Sequence, residues 1–230
     1  MKINTIGIFI FCIFSVLGCQ EKSVLIPYSK EHIKIDGSKK DPAWKQAFRL
    51  DQFYSPWEER PIPKTEFRSF HDSEFFYFHF QSIDKQIVCH EVPKNKTSVE
   101  YSDRIELFFS VDRQLSTYYG LEFDACQRMI AFKSEGYRNF DQGWSFPGRV
   151  KDWKVREINN GYEVEGRIKI SDLREMNVLK NNEMLMGIFR ADFRRNNKKD
   201  VSWLSWTQIN SEKPDLHHID GFQLVKLGDK

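Results

Sequence analysis

The residues best equipped for chemistry sit in one short run, YSDRIELFFSVD, Tyr101 to Asp112, where Asp103, Arg104 and Glu106 are threaded among Ile105, Leu107 and Phe109. On an extended strand successive side chains point to opposite faces. Arg104, Glu106 and Phe108 therefore share one face, and Asp103, Ile105, Leu107 and Phe109 the other. The apolar set belongs to an interior. The opposite face then offers the five donors of a guanidinium beside the acceptors of a carboxylate. Three uses fit that combination. One is recognition of a ligand that both donates and accepts hydrogen bonds. A second is a structural ion pair across neighbouring strands, with Glu122 or Glu165 as partner. The third is acid–base cleavage by Glu106 and Glu122, which needs the two carboxylates at a separation of about 5 to 10 Å. Asp103 is expected to cap the start of the strand by accepting backbone N–H groups.

Other chemistries have no support. There is no CxxC, HExxH or Cys/His cluster for a zinc ion, and no Gly-rich phosphate loop. A nucleophilic hydrolase lacks its GxSxG, and His32, His71, His79, His90, His217 and His218 have no recognisable nucleophile partner. With 35 Lys and Arg against 33 Asp and Glu, spread along the chain, nothing points to nucleic acid.

The elements that must position the charged strand read as β structure. Segments rich in aromatic and β-branched residues recur at His32 to Ile35, Thr65 to Phe70, Phe75 to Gln81, Ile105 to Val111 and Tyr118 to Phe123. They continue at Lys154 to Ile158, Tyr162 to Ile170, Met184 to Phe193, Val201 to Trp206 and Phe222 to Leu227. Turn signals separate them, including Asp36-Gly37, Asp220-Gly221 and a hairpin at Asn160-Gly161. FFYFHF, Phe75 to Phe80, is aromatic on both faces and suits a central strand covered on both sides. Helical signal is confined to one turn capped by Asp41 before Pro42 and another over Ser171 to Met176. The prediction is an all-β antiparallel sandwich, jelly-roll-like, with one or two short helical turns.

Met1 to Gly18, with Lys2 before the apolar run Ile6 to Leu17, reads as a signal peptide too short to span a bilayer. VLGC from Val16 resembles the lipobox of bacterial lipoproteins, which implies that Cys19 becomes a lipidated N-terminus, that residues 19–30 form a tether, and that residues 31–230, a length that favours one domain, are held at a membrane surface. In that oxidising compartment Cys89 and Cys126 are able to pair.

IKIDGSKKDPAWKQA, Ile33 to Ala47, resembles the opening of family 9-like carbohydrate-binding modules. The resemblance runs on through TEFRSFHDSEFFYFHFQSID at Thr65, SDRIELFF at Ser102, YYGLEFD at Tyr118, GYEVEGRIKISDL at Gly161 and SWTQINSEKPDLHH at Ser205. YRNFDQGWSFPG at Tyr137 is similar to single-domain, lipobox-bearing members of Bacteroidetes-type bacteria. The resemblance implies a jelly-roll-like sandwich, non-catalytic binding of an oligo- or polysaccharide, an envelope location held by the lipid (the outer membrane), and glycan-degrading enzymes as neighbours. It also implies that Glu106, the glutamate of the D-x-x-E motif, contributes to sugar binding, with Arg104 and Glu122 beside it. Sugar hydroxyls need donors and acceptors together, while an aromatic ring packs on the apolar side of the sugar.

The chain departs from the family at its two sugar-sandwiching tryptophans, whose positions fall on Glu100 and Leu216. Tyr101 and His217 are the neighbouring substitutes, and Trp57, Tyr137, Trp144 and Trp206 the relocated platforms, with Trp144 favoured for its place in a loop. Trp44, Trp153 and Trp203 are assigned to packing. Arg190 and Arg194, even-spaced with Asp192, share one strand face that joins the polar cleft or is simply solvated. Modules of this kind sometimes carry structural calcium, for which Asp36, Asp41 and the Asp84 loop supply oxygens; no other cofactor is expected.

Overall fold

The computed structural model describes residues 23–90, 97–148, 152–194 and 197–230. The signal segment and Cys19 lie outside the described residues. Two sheets face each other. The larger contains β1 (Val24–Ile26), β5 (Arg104–Ser110), β6 (Tyr118–Asp124), β7 (Met129–Ser134), β10 (Glu183–Arg194), β11 (Asn197–Ser205) and β12 (Phe222–Leu227). The smaller contains β2 (Phe48–Leu50), β3 (Thr65–His71), β4 (Phe75–Ile83), β8 (Trp153–Ile158) and β9 (Gly161–Lys169). Their orders are β1-β12-β10-β5-β6-β7 and β2-β3-β4-β9-β8, antiparallel except for the parallel β1–β12 pair. β10 is long enough for β12 to take the first half of one edge and β11 the second, which leaves its other edge to β5.

The core lies between the sheets and is set by alternation. Ile105, Leu107 and Phe109 of β5 face it together with Leu121 and Phe123 of β6, Met186 and Ile188 of β10, and Phe76, Phe78 and Phe80 of β4. Phe78 and Phe123 meet across the two layers with ring centroids 5.3 Å apart. The other face of β4 is covered too: Phe75 and Tyr77 pack with Ile33, Ala43 and Trp44 from the segment that precedes β2. FFYFHF is thus a doubly covered central strand, as its composition requires.

Three expectations change. His32 to Ile35 forms no strand; it belongs to the cover over β4, and Ile33 is buried there. The ordered domain starts before residue 31, because Val24–Ile26 adds a strand beside β12 and Tyr28 bridges His71. β2 and β7 also went unpredicted: β2 is three residues long, and the faces of β7 are all half-buried until Ser134, so neither shows a clean alternation. Both expected helical turns are present, Pro42–Lys45 behind Asp41, whose side chain accepts from Ala43 N, and α2 (Ile170–Glu175), which has no side-chain cap. A further turn, α1 (Thr97–Glu100), had no sequence signal. At the β8–β9 hairpin only a glycine fits, since a Cβ on Gly161 would stand 1.9 Å from the Ser82 carbonyl oxygen.

Candidate functional site

The outer face of the larger sheet is not flat. Phe108, Tyr118 and Phe189 rise from it and are roofed by the 209–222 loop through Ile209, Leu216 and Phe222. Gly120 makes room for this, for a Cβ there would fall 2.2 Å from the Phe132 ring. Beside that covered half the face opens into a cavity of about 510 Å³. Its floor is Arg104, Glu106 and Glu122; Glu100, Tyr101, Trp144, Phe193 and Trp203 form walls; and Leu216 and His217 close one end.

Register explains the floor. Glu106 on β5 stands directly opposite Glu122 on β6, an arrangement that is destabilising unless compensated. Arg104, two residues along the same face, compensates: its Nε lies 2.8 Å from a carboxylate oxygen of each glutamate, and its Nη1 donates to the Glu100 carbonyl at 2.8 Å. All three side chains are less than a tenth exposed. The guanidinium carbon is 5.4 Å from the Trp203 ring centroid and 5.8 Å from that of Phe193, so the cation is also held by π faces. Burial pushes both carboxyls up, against the pull of Arg104, and the Glu106 charge adds to the effect on Glu122, which reaches about 8. The ion pair that sequence allowed as a structural alternative and the polar floor of a cavity are therefore the same three residues. Glu165 has no part in it, being engaged by the Asp36 and Gly37 amides and by Trp44 Nε1 on the other sheet.

The rim comes from loops. The turn after β7 brings Arg138 over the cavity with φ 52°, and its guanidinium meets Asp215 at 3.2 Å. His217 lies with Nδ1 2.9 Å from the Tyr118 hydroxyl, and burial together with Arg138 lowers its pKa to about 3, so it is a neutral wall. The disulfide Cys89–Cys126 ties the segment preceding α1 to the β6–β7 turn, and Arg128 in that turn donates to the His90 carbonyl at 2.7 Å and to Ser102 Oγ at 3.0 Å. These bonds fix the wall that carries Glu100 and Tyr101.

Of the residues singled out from sequence, Arg104, Glu106, Glu122, Tyr101, Trp144 and His217 converge on this cavity. Four do not. Arg190 stands opposite Ile105 in the β5–β10 register, hence on the inner face, where it is fully buried and bonds to Asp192 and Thr65. Trp206 is buried in the core with Nε1 donating to the Gly221 carbonyl, and it borders a different, shallower hollow near Arg113 and Asp220. Trp57 anchors the 209–222 loop by donating to the Ser211 carbonyl at 3.0 Å. Tyr137 points outward, 66% exposed, and its hydroxyl meets Asp215. Conversely, Trp203, Phe193, Phe132 and Arg138 line the cavity without having been expected there. The signal for Trp203 was parity: it pairs with Ala191, on the same face as Arg104.

Among the described residues, one group of carboxylates is close enough to share a cation, Asp84, Asp103 and Asp192. Most of its oxygens already have partners, although Asp84 Oδ2 is buried without a hydrogen bond. Asp103 accepts from Val88 N and from Phe193 N at 2.6 Å, as a strand-start cap should, and burial pushes it up to about 8. Asp192 is bound by Arg190 and Arg194, with Arg190 3.6 Å from Asp84. Asp36 and Asp41 cap their own turns by accepting from Ser38 N and Ala43 N.

A family model described as carbohydrate family 9 binding domain-like matches residues 35–222. The chain belongs to this family. Solved structures agree in fold at low identity. A family 9 carbohydrate-binding module from Caldicellulosiruptor kristjanssonii in complex with cellotriose has a TM-score of 0.60 at 16% identity, over 91% of this chain and 95% of that one. The glucose complex from the same organism has a TM-score of 0.58 at 17% identity, over 91% and 97%. A proposed carbohydrate-binding protein from Bacteroides uniformis gives 0.68 at 16%, over 90% and 99%. Comparison with the curated proteins found no match. Glu100, Leu216 and Glu106, singled out above from the resemblance, all line the one cavity.

Proposed function

We propose that this chain is a non-catalytic saccharide-binding protein that engages sugar in the Arg104–Glu106–Glu122 cavity, with Trp203 and Trp144 supplying the stacking surfaces that Glu100 and Leu216 no longer provide. The observation that carries this reading is the floor itself: a guanidinium and two carboxylates, buried by the fold yet opening on a cavity walled by aromatic rings. Sugar hydroxyls need donors and acceptors together, and the C–H faces of the ring need an apolar wall. The solved relatives bound to cellotriose and glucose support the class of ligand. A lipid on Cys19, supported by the VLGC stretch, and a role in polysaccharide capture beside degrading enzymes belong to the same proposal.

Hydrolysis is disfavoured by geometry. In a glycosidase the scissile bond lies between the two carboxyl groups. Here Arg104 occupies that place, 2.8 Å from both. Calorimetric titration of the full chain in detergent against xylo-, cello-, manno- and pectic oligosaccharides tests the reading, with Glu106→Ala alongside and a check for released reducing ends. Binding by the parent chain that disappears in Glu106→Ala is the expected result. A folded chain that ignores the whole panel would instead favour a lipoprotein that keeps the scaffold for contacts with other proteins.

A further inference from the structure

Negative charge exceeds positive charge in this cavity. Two glutamates share one guanidinium, and Arg104 Nε carries a single hydrogen that cannot serve both. Neither short contact is aligned on that N–H, so Glu106 Oε1 and Glu122 Oε2 are buried without a directed hydrogen bond. The surroundings do not redress the balance. Glu100 and Asp141 add two carboxylates to the lining, and Arg138 is already paired with Asp215. Lys133 reaches Asp141 only at 3.8 Å, and His217 is neutral. The same cavity is lined by the rings of Trp203, Phe193, Trp144 and Phe132, the first two already facing the Arg104 guanidinium. Buried carboxylates with aromatic faces beside them make a site for an ammonium group.

Resting on the saccharide reading above, we propose that the preferred ligand is an amino sugar with a free amine, whose ammonium bonds to the Glu106–Glu122 pair. Without ligand the pair retains one proton, since Glu122 is pushed up to about 8 by burial and by Glu106. That proton belongs to the pair rather than to one oxygen. The incoming ammonium takes its place: the carboxyl O–H bond breaks, the proton leaves to solvent, and both carboxylates stand ionised between the ligand cation and Arg104. A neutral sugar has no such cation to exchange, and an N-acetylated one has lost it.

The test titrates glucose, N-acetylglucosamine and glucosamine into the full chain in detergent at about pH 6, well below the ~8 of an α-amino group. Each titration is run in two buffers of different ionisation heat, so that proton release is read directly. Glucosamine is expected to bind at least about tenfold more tightly than glucose, with about one proton released per site, and N-acetylglucosamine to lose the advantage. Glu122→Gln, similar in shape, is expected to bring the glucosamine-to-glucose affinity ratio towards one. Glucose binding as well as glucosamine, without proton release, would overturn the amine preference and leave the saccharide site standing. Silence towards all three sugars and the oligosaccharide panel would overturn both.

Discussion

Arg104 is the residue on which the site depends. It is buried against Glu106 and Glu122, whose charges face each other across β5 and β6, and its cation rests on Trp203 and Phe193. Removing one member of such a buried cluster leaves the others uncompensated, which costs about 3–5 kcal/mol. Arg104→Met should therefore lower the denaturation midpoint markedly and abolish binding, whereas the same change with both glutamates made Gln should recover most of the stability but none of the binding. If the single and triple variants are equally unstable, the charge argument fails. Trp203→Ala isolates the platform. Losing its stacking face is expected to weaken binding about tenfold while the chain stays folded, and Tyr137→Ala, which points away from the cavity, should leave binding within about twofold.

At the scale of the elements, strands were legible and loops were not. Alternation in β5 separated Arg104 and Glu106 from Ile105, Leu107 and Phe109, and the same rule, applied through the register, would have put Trp203 with Arg104 and Arg190 with Ile105. What was missing from the sequence was the register, because a slip of one residue exchanges the faces. It left Trp203 among the packing residues and Arg190 in the cleft. Loop contributions such as Arg138 and the plug at Leu216 and His217 have no period to read, since they are fixed by contacts distant in sequence. The disulfide is one such contact. It spans 37 residues and anchors the wall of Glu100 and Tyr101. The Cys89→Ala/Cys126→Ala variant is expected to lose about 2–4 kcal/mol of stability and to bind saccharide more weakly, because the wall is no longer pinned to the β6–β7 turn. Unchanged affinity alongside the stability loss would show that the Arg128 bonds suffice to hold it.

For the whole molecule the buried ionisable groups set how stability follows pH. Glu122 and Asp103 have folded values near 8, far above those of an unfolded chain, so between their unfolded and folded values the native state binds more protons and stability falls as pH rises. His79 and His217, both lowered to about 3 by burial first of all, act in the opposite sense: between 3 and their unfolded value the unfolded state binds more protons, and stability rises with pH. Glu66, held at about 2 by Arg68, Lys39 and Arg49 against its burial, also favours folding as pH rises through the acid range. Between roughly pH 4.5 and 6.5 the two histidines offset the two carboxyls raised to about 8, while Glu106, Asp124 and Glu165, also raised by burial, act in the same sense as those carboxyls. Above that the histidines are neutral in both states and only the carboxyls still act, each contributing at most about 1.4 kcal/mol per pH unit. Thermal or urea denaturation should therefore show greatest stability at mildly acid pH, a decline below it, and a further decline towards pH 8. Glu122→Gln should flatten the alkaline decline only in part, since Asp103 remains. A midpoint that climbs steadily from mildly acid to mildly alkaline conditions would mean that the Glu106–Glu122 pair is fully ionised in the native state, with Arg104 and Arg138 compensating it.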